Sequence, residues 1–190
     1  MKREIAKIFA PWYAEAMPDR IVIRRYLDAE RTAWLDDDID AIFFEASNTK
    51  SFENESARLA FRERWLGRYL RDDPQYAYLA FAPSGDLVGY LIGAIGDRAL
   101  NEGIAAFRDL TKRYPAHLHV NVTPQYRGFG IGGRLIDAFV ADAQQAGAAG
   151  VHVVTSAASA NVRFYNRNGF LEIERGGPDN GLVYLARAFA

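Results

Sequence analysis

The chain has 190 residues, 49% hydrophobic and 25% charged, with a net charge of −1 and no cysteine. That balance describes a globular domain, with or without an extension, large enough to bury a core without metal or disulfide staples. It argues against a general polyanion binder and excludes disulfides, thiolate metal sites and a cysteine nucleophile.

Residues 3–16 carry Ile5, Ile8, Phe9, Trp12 and Tyr13 at helical spacing before Pro18, which predicts a short helical extension over 1–19. That segment lacks an apolar signal core, and no stretch reaches the length of a membrane span. A cytoplasmic protein with no membrane or nucleic-acid partner is therefore expected. RIVIRRYL (20–27) reads as a first strand and 28–47 as a polar helix and loop, its DDDID run (36–40) a solvated face. In 56–74, Leu59, Trp65, Leu66, Tyr69 and Leu70 fall on one helical side, and Asp73-Pro74 stops the run.

Two apolar runs around PSGD over 75–96 read as a hairpin. Residues 97–116 form a mixed connector with a helix predicted over 101–113. HLHVNV (117–122) is a short strand, and Leu135, Ile136, Phe139, Val140 and Ala143 then keep the 3.6 period until Gly147. GVHVVTS (150–156) is a buried-type strand, 159–169 a short helix, and the runs flanking GGPDNG a second hairpin. A strand, a glycine loop, a helix and a strand in that order predict a parallel pair within an α/β fold.

Between strand 117–122 and its helix lies PQYRGFGIGGRL (124–135), with four glycines at 128, 130, 132 and 133. Glycine lets backbone approach a ligand closely, and the first amides of a helix attract anions. The loop therefore reads as an anion site, most naturally for phosphate, with Arg127 and Arg134 adding charge at its edges. The plainer alternative is a tight turn that merely needs glycine. Gly128, Gly130 and Gly133 match G-x-G-x-x-G, but the next strand ends without the acid that would hold a dinucleotide ribose. Gly133 is followed by Arg134-Leu135 where a nucleoside-triphosphate loop wants Lys and Ser or Thr.

The R-x-x-G-x-G reading (Arg127, Gly130, Gly132), preceded by Val122-Thr123-Pro124, resembles the acyl-CoA loop of the GNAT acetyltransferase superfamily. NVRFYNRNGF (161–170) resembles that superfamily's closing helix with its aromatic-Tyr pair and Gly-Phe. The likeness covers residues 75–188, and YPAHLHVNVTPQYRGFGIGGRLI is further similar to the acetyltransferase-like domain associated with O-GlcNAcases and its bacterial relatives. The resemblance implies the GNAT fold: a mixed, mostly antiparallel twisted sheet of about seven strands, with one splayed parallel pair and flanking helices. It implies a single domain over 1–190 with an acetyl-CoA core over 117–170.

It also implies acetyl-CoA as co-substrate, with no metal. Val120 and Val122 would line the pantetheine arm, and Arg127, Gly128, Phe129, Gly130, Ile131, Gly132 and Gly133 would hold the pyrophosphate, with Asn161 a weaker contact. The acceptor would be a small-molecule or protein amine, and the protein a monomer or homodimer. Tyr165 stands where the superfamily often places a proton donor near the CoA sulfur, with Phe164 beside it expected in the core. The base is open. Asn121 occupies the place where an acid is common; His119 can accept a proton, or be a histidine bonded within the sheet. His117 and His119 lie on one strand face, but His152 on a separate strand completes no evident metal set. Ala158 replaces a familiar Asn, which Asn161 compensates or else caps the helix. Arg163 and Arg167 are exposed helix arginines or phosphate contacts. Trp34, Tyr90 and Asp97 are candidate acceptor contacts, with packing or solvent as the plainer reading. A catalytically inactive CoA- or peptide-binding module is the alternative to the enzyme.

Overall fold

The computed structural model describes residues 20–30, 32, 34–96 and 106–189. The helix expected over 3–16, Asp97 and the start of the 97–116 connector lie outside them. Seven strands, β1 (Val22–Arg25), β2 (Ala77–Phe81), β3 (Leu87–Ile95), β4 (Ala116–Val122), β5 (Gly150–Ser156), β6 (Leu171–Gly176) and β7 (Leu182–Ala188), form one sheet in the order β1-β2-β3-β4-β5-β7-β6. β4 and β5 run parallel, whereas β1 with β2, β5 with β7 and β6 with β7 run antiparallel. This is the mixed α/β sheet expected from the sequence. The parallel ladder consists of two rungs among the described residues, Ala116↔Val151 and His117↔His152, although each strand has seven residues. That short ladder is the splay the resemblance implied.

By contacts the chain falls into two compact units: residues 1–91 with 120–135, and 92–119 with 136–190. In the first, α1 (Leu35–Ala46) buries Leu35, Ile39, Ile42 and Phe43 on one face and presents Asp36, Asp37 and Asp38 to solvent in its first turn. Carboxylates there complement the helix dipole. Asp40, the last acid of that run, instead accepts both hydrogen bonds from Arg62 Nε, at 2.6 and 2.7 Å.

α2 (Glu55–Arg62) begins at Asn54, whose side chain accepts the Ala57 N–H at 2.9 Å. It continues into a π-helical segment, Glu63–Gly67, and then α3 (Arg68–Asp72). A π turn is wider and advances fewer degrees per residue. The apolar stripe read from uniform helical spacing therefore drifts: Leu66 and Tyr69 are buried, but Leu59 is 53% exposed. Asp73-Pro74 ends the helix as expected.

In the second unit, α4 (Arg108–Arg113) falls within the helix predicted over 101–113, whose first residues lie outside the described ones. Tyr184 on β7 packs with Phe107 and Tyr114, their ring centroids 5.3 and 6.3 Å from its own. The long helix α5 (Ile131–Gln145) has Leu135, Ile136, Phe139, Val140 and Ala143 buried, as its period predicted. α6 (Asn161–Arg167) leads through Gly169 into β6.

Candidate functional site

The glycine loop belongs to the first unit. Strand β4 ends at Val122, and the backbone then makes a 3₁₀ turn, Pro124–Tyr126. Gly128 and Gly130 have φ of +86° and +79°, a left-handed conformation that side chains rarely adopt. A Cβ built on either would meet nothing within 4 Å, so open space adjoins both. α5 starts at Ile131, and Arg134 N–H donates to Gly130 C=O at 3.1 Å. The amides of Ile131, Gly132 and Gly133 precede that bond, in the part of a helix where N–H groups have no intrahelical partner. Positive backbone dipoles beside open space suit a polyanionic ligand such as a diphosphate.

The two arginines of the loop are held differently. Arg127 is exposed, and its Nε donates to Val122 C=O at 2.8 Å, tying the loop to the strand end while leaving its outer nitrogens toward solvent. Arg134 is half-buried and its Nη2 donates to Ile21 C=O at 3.0 Å, linking the helix start to the chain just before β1. Val120, Val122 and Phe129 are half-buried, Ile131 and Gly132 buried. Asn121 Nδ2 donates to the Tyr90 hydroxyl at 2.9 Å. Tyr90 is 1% exposed, a core residue rather than an open contact, and burial raises its pKa. Trp34, by contrast, is 70% exposed.

The second unit holds Tyr165 and the three histidines. Tyr165 is 8% exposed, packed edge-on against Phe164 and Phe170, and burial raises its pKa, so it carries its proton at neutral pH. Its hydroxyl makes no hydrogen bond to another described residue, which distinguishes it from a core tyrosine satisfied by backbone. Phe164, expected in the core, is only half-buried; Tyr165 is the inner ring of the pair. Asn161 is exposed and is the first residue of its helix, behind the N-cap position Ala160; its N–H donates to Ser159 Oγ at 3.2 Å. Arg163 and Arg167 are exposed.

His117 and His119 approach through their Nε2 atoms at 3.0 Å, with rings edge to face. His117 is buried and His119 half-buried. The register His117↔His152 also brings the third histidine alongside, its ring centroid 5.0 Å from that of His117. Sequence reading set His152 apart; the signal that could have placed it was the parallel alignment of AHLH with GVHV. His152 is fully buried, stacks on Tyr184 at 4.9 Å and uses Nδ1 toward Tyr114 C=O at 2.6 Å. Burial pushes its pKa down to about 4, so it is neutral at physiological pH. Among the described residues no three His, Asp or Glu side chains are grouped to hold a metal. Among the same residues no helix is long and apolar enough to cross a membrane.

A mixed seven-stranded sheet with one splayed parallel pair and a glycine loop between the first of those strands and its helix is the architecture of acetyl-CoA-dependent acyltransferases. The sequence profile of the acetyltransferase (GNAT) family matches residues 22–170, and the chain belongs to that family. Its fold is similar to that of SsHAT, with a TM-score of 0.68 and 22% identity over 88% of this chain and 98% of that one. It is also similar to a chain of the NatC complex bound to Gag peptide and CoA, with a TM-score of 0.60 and 16% identity over 90% and 99%. Naa20 from Chaetomium thermophilum, in complex with a bisubstrate analogue, gives a TM-score of 0.56 and 20% identity over 88% and 86%. These likenesses bear on the fold and leave the closer kinship to O-GlcNAcase-associated domains an expectation.

Proposed function

We propose that this chain is a single-domain N-acetyltransferase that moves the acetyl group of acetyl-CoA to a primary amine by direct attack in a ternary complex. The observation that carries the reading is the run of amides between Arg127 and Gly133 opening onto free space at Gly128 and Gly130. Its dipoles suit the diphosphate of CoA, and Arg127 adds an exposed cation. Val120 and Val122 offer strand edge to the pantetheine arm. Asn161, exposed at the start of α6, is the weakest member of the set.

Three demands follow from the chemistry. A lysine-like ammonium must lose a proton, its pKa being about 10.4. The thiolate that departs gains from a proton, since a thiol's pKa is about 8.5. The carbonyl oxygen needs a donor as charge develops. Tyr165, protonated and without an internal acceptor among the described residues, is suited to give the proton to sulfur. His119, a half-buried imidazole, is suited to accept the amine's. The NatC and Naa20 structures, holding a peptide and a bisubstrate analogue, support an amine acceptor of peptide or small-molecule kind. A cytoplasmic monomer or homodimer, with no metal, membrane or nucleic-acid partner, completes the reading.

Calorimetry with acetyl-CoA, CoA and NAD tests the donor: heat with the first two and none with NAD is expected, and no heat with either thioester carrier or free CoA overturns the reading. Release of free CoA in the presence of a panel of amines tests the catalysis. One observation favours a second reading, a CoA-binding module without turnover: Asn121, where an acid is common, is an amide engaged with Tyr90 and cannot act as a base. Tight binding with no CoA release across the panel selects that reading.

A further inference from the structure

The sequence holds two Asn-Gly pairs, Asn168-Gly169 and Asn180-Gly181. Glycine has no side chain to shield its main-chain nitrogen, so that nitrogen can reach the amide carbon of the asparagine before it. The fold treats the two pairs differently. Asn168 closes α6 and is half-buried. Its Nδ2 donates to Phe164 C=O at 2.8 Å, and Gly169 N–H donates to Asn166 C=O at 3.2 Å. Both groups that would have to react are held. Asn180 lies at the tip between β6 and β7, exposed, and its side chain has no hydrogen-bond partner among the described residues.

The backbone at that tip is also less settled. Asp179 and Asn180 have φ of +53° and +55°, and among the described residues no other non-glycine residue is left-handed. One bond restrains the reacting nitrogen, from Gly181 N–H to Pro178 C=O at 2.9 Å. We propose that Asn180 is a site of spontaneous covalent modification: its side-chain amide is displaced by the main-chain nitrogen of Gly181, ahead of the same reaction at Asn168.

The reaction needs water alone and no acetyl group. The Gly181 nitrogen loses its proton and bonds to Asn180 Cγ. The Cγ–Nδ2 bond breaks, and Nδ2 leaves as ammonia with the proton that the glycine gave up. A five-membered succinimide remains. One water then opens it. Cleavage at Cγ leaves aspartate, and cleavage at the main-chain carbonyl leaves isoaspartate, with the chain routed through the side chain. The balance is one water taken up and one ammonia released, with nothing oxidised or reduced.

The isoaspartate product reaches beyond the turn, because it lengthens the main chain by one methylene just before Gly181. Gly181 C=O accepts the Ala157 N–H at 2.9 Å, which ties the start of β7 to the residue after β5. The segment that follows leads into α6 and Tyr165. Aspartate leaves that tie in register, and isoaspartate displaces it.

Peptide mapping of the folded chain, sampled over time in mildly alkaline buffer, reads both sites as the mass gain of amide converted to acid. Asn180 is expected to convert about tenfold faster than Asn168, the ratio set by the additional hydrogen bond that Asn168 must break. In urea the two pairs should convert alike. Equal rates in the folded chain, or Asn168 ahead, overturn the proposal. So does the same preference for Asn180 in urea, which would trace it to neighbouring residues and not to the fold. Asn180→Gln, whose longer side chain closes no five-membered ring, should lose the fast site and keep the slow one; the wild-type map decides should that variant not fold. Asn180→Asp should melt as the parent does. Aged protein carrying isoaspartate at 180 should melt about 2–4 °C lower, the loss of one hydrogen bond in a chain of this size. An unchanged melting point in that sample overturns the link to Ala157.

Discussion

Gly133→Glu separates the anion-binding role of the loop from its structural role, because the two predict opposite signs. Gly133 is the third residue of α5 and half-buried, and it lies before the first amide bonded back to the loop at Gly130. It is not among the residues with positive φ, so a side chain there needs no left-handed backbone. Replacing glycine in a helix gains a good part of about 1 kcal/mol, and a carboxylate in the first turn gains about 0.3–1 kcal/mol from the dipole. The free protein should therefore be stabilised by about 1 kcal/mol, a rise in Tm of about 2–4 °C for a chain of this size. The same carboxylate opposes a diphosphate. One negative charge about 6 Å from two others costs about 1.4 kcal/mol at the dielectric of water and about twice that where the dielectric is halved. Affinity for acetyl-CoA should fall about 10- to 100-fold. Differential scanning fluorimetry and calorimetry measure the two effects. A variant that is more stable and binds acetyl-CoA as tightly as the parent refutes the diphosphate assignment. The glycines with positive φ serve less well: a side chain at Gly130, with φ +79°, strains the backbone whether or not a ligand binds there, so Gly130→Val is no neutral probe.

Tyr165→Phe should slow turnover about 100-fold while leaving acetyl-CoA affinity and Tm nearly unchanged, in steady-state kinetics set beside calorimetry; an unaltered rate removes the hydroxyl from the mechanism. The raised pKa of Tyr165 keeps it protonated beyond pH 10, so this loss should not vary between pH 7 and 9. His152 has a folded pKa of about 4 against about 6.5 when unfolded, so the unfolded chain binds more protons between those values. Its contribution to stability is whole above about pH 6.5 and is lost as pH falls toward 4, amounting to about 2.5 kcal/mol by about pH 4.5. Urea titrations at pH 7 and 4.5 should show that part of the loss vanish in His152→Gln; an unchanged pH dependence in that variant contradicts it. Gly93→Ala would set a methyl 2.8 Å from Phe139 Cζ and 2.9 Å from His117 C=O. It should cost about 1–3 kcal/mol, read as a lower urea midpoint, and a neutral outcome would mean that Phe139 moves aside freely.

Local chemistry was legible wherever it depends on few residues. Pro83-Ser84-Gly85-Asp86 announces the β2–β3 turn, and Gly147 and Gly169 lie where their helices stop. The parallel pair followed from chain order alone, because a helix between two strands carries the chain back to the starting edge. What stayed hidden depended on register or on a change of screw. Leu59 follows the same spacing as Leu66, and nothing in that spacing announces a π segment between them. His152 carries no mark of its neighbours until β5 is laid against β4. That Arg134 also reaches the carbonyl of Ile21, distant in sequence, requires the fold. Asn121 could be recognised as no base, but its use as a donor to Tyr90 requires the fold.

The last strand of the sheet has a consequence for handling the protein. β6 shows Leu171 and Ile173 to solvent, 69% and 37% exposed, on a rim with no further strand beside it among the described residues. Such a rim invites another chain to zip onto it. Here Glu172 and Glu174 interrupt the greasy positions, Glu172 is clamped by Arg175 at 2.7 Å, and the register slips between the two glutamates. Irregularity and like charge together make a poor template for a foreign strand. Neutralising both glutamates should turn this rim adhesive, visible as growing light scattering in concentrated samples while the melting point barely moves.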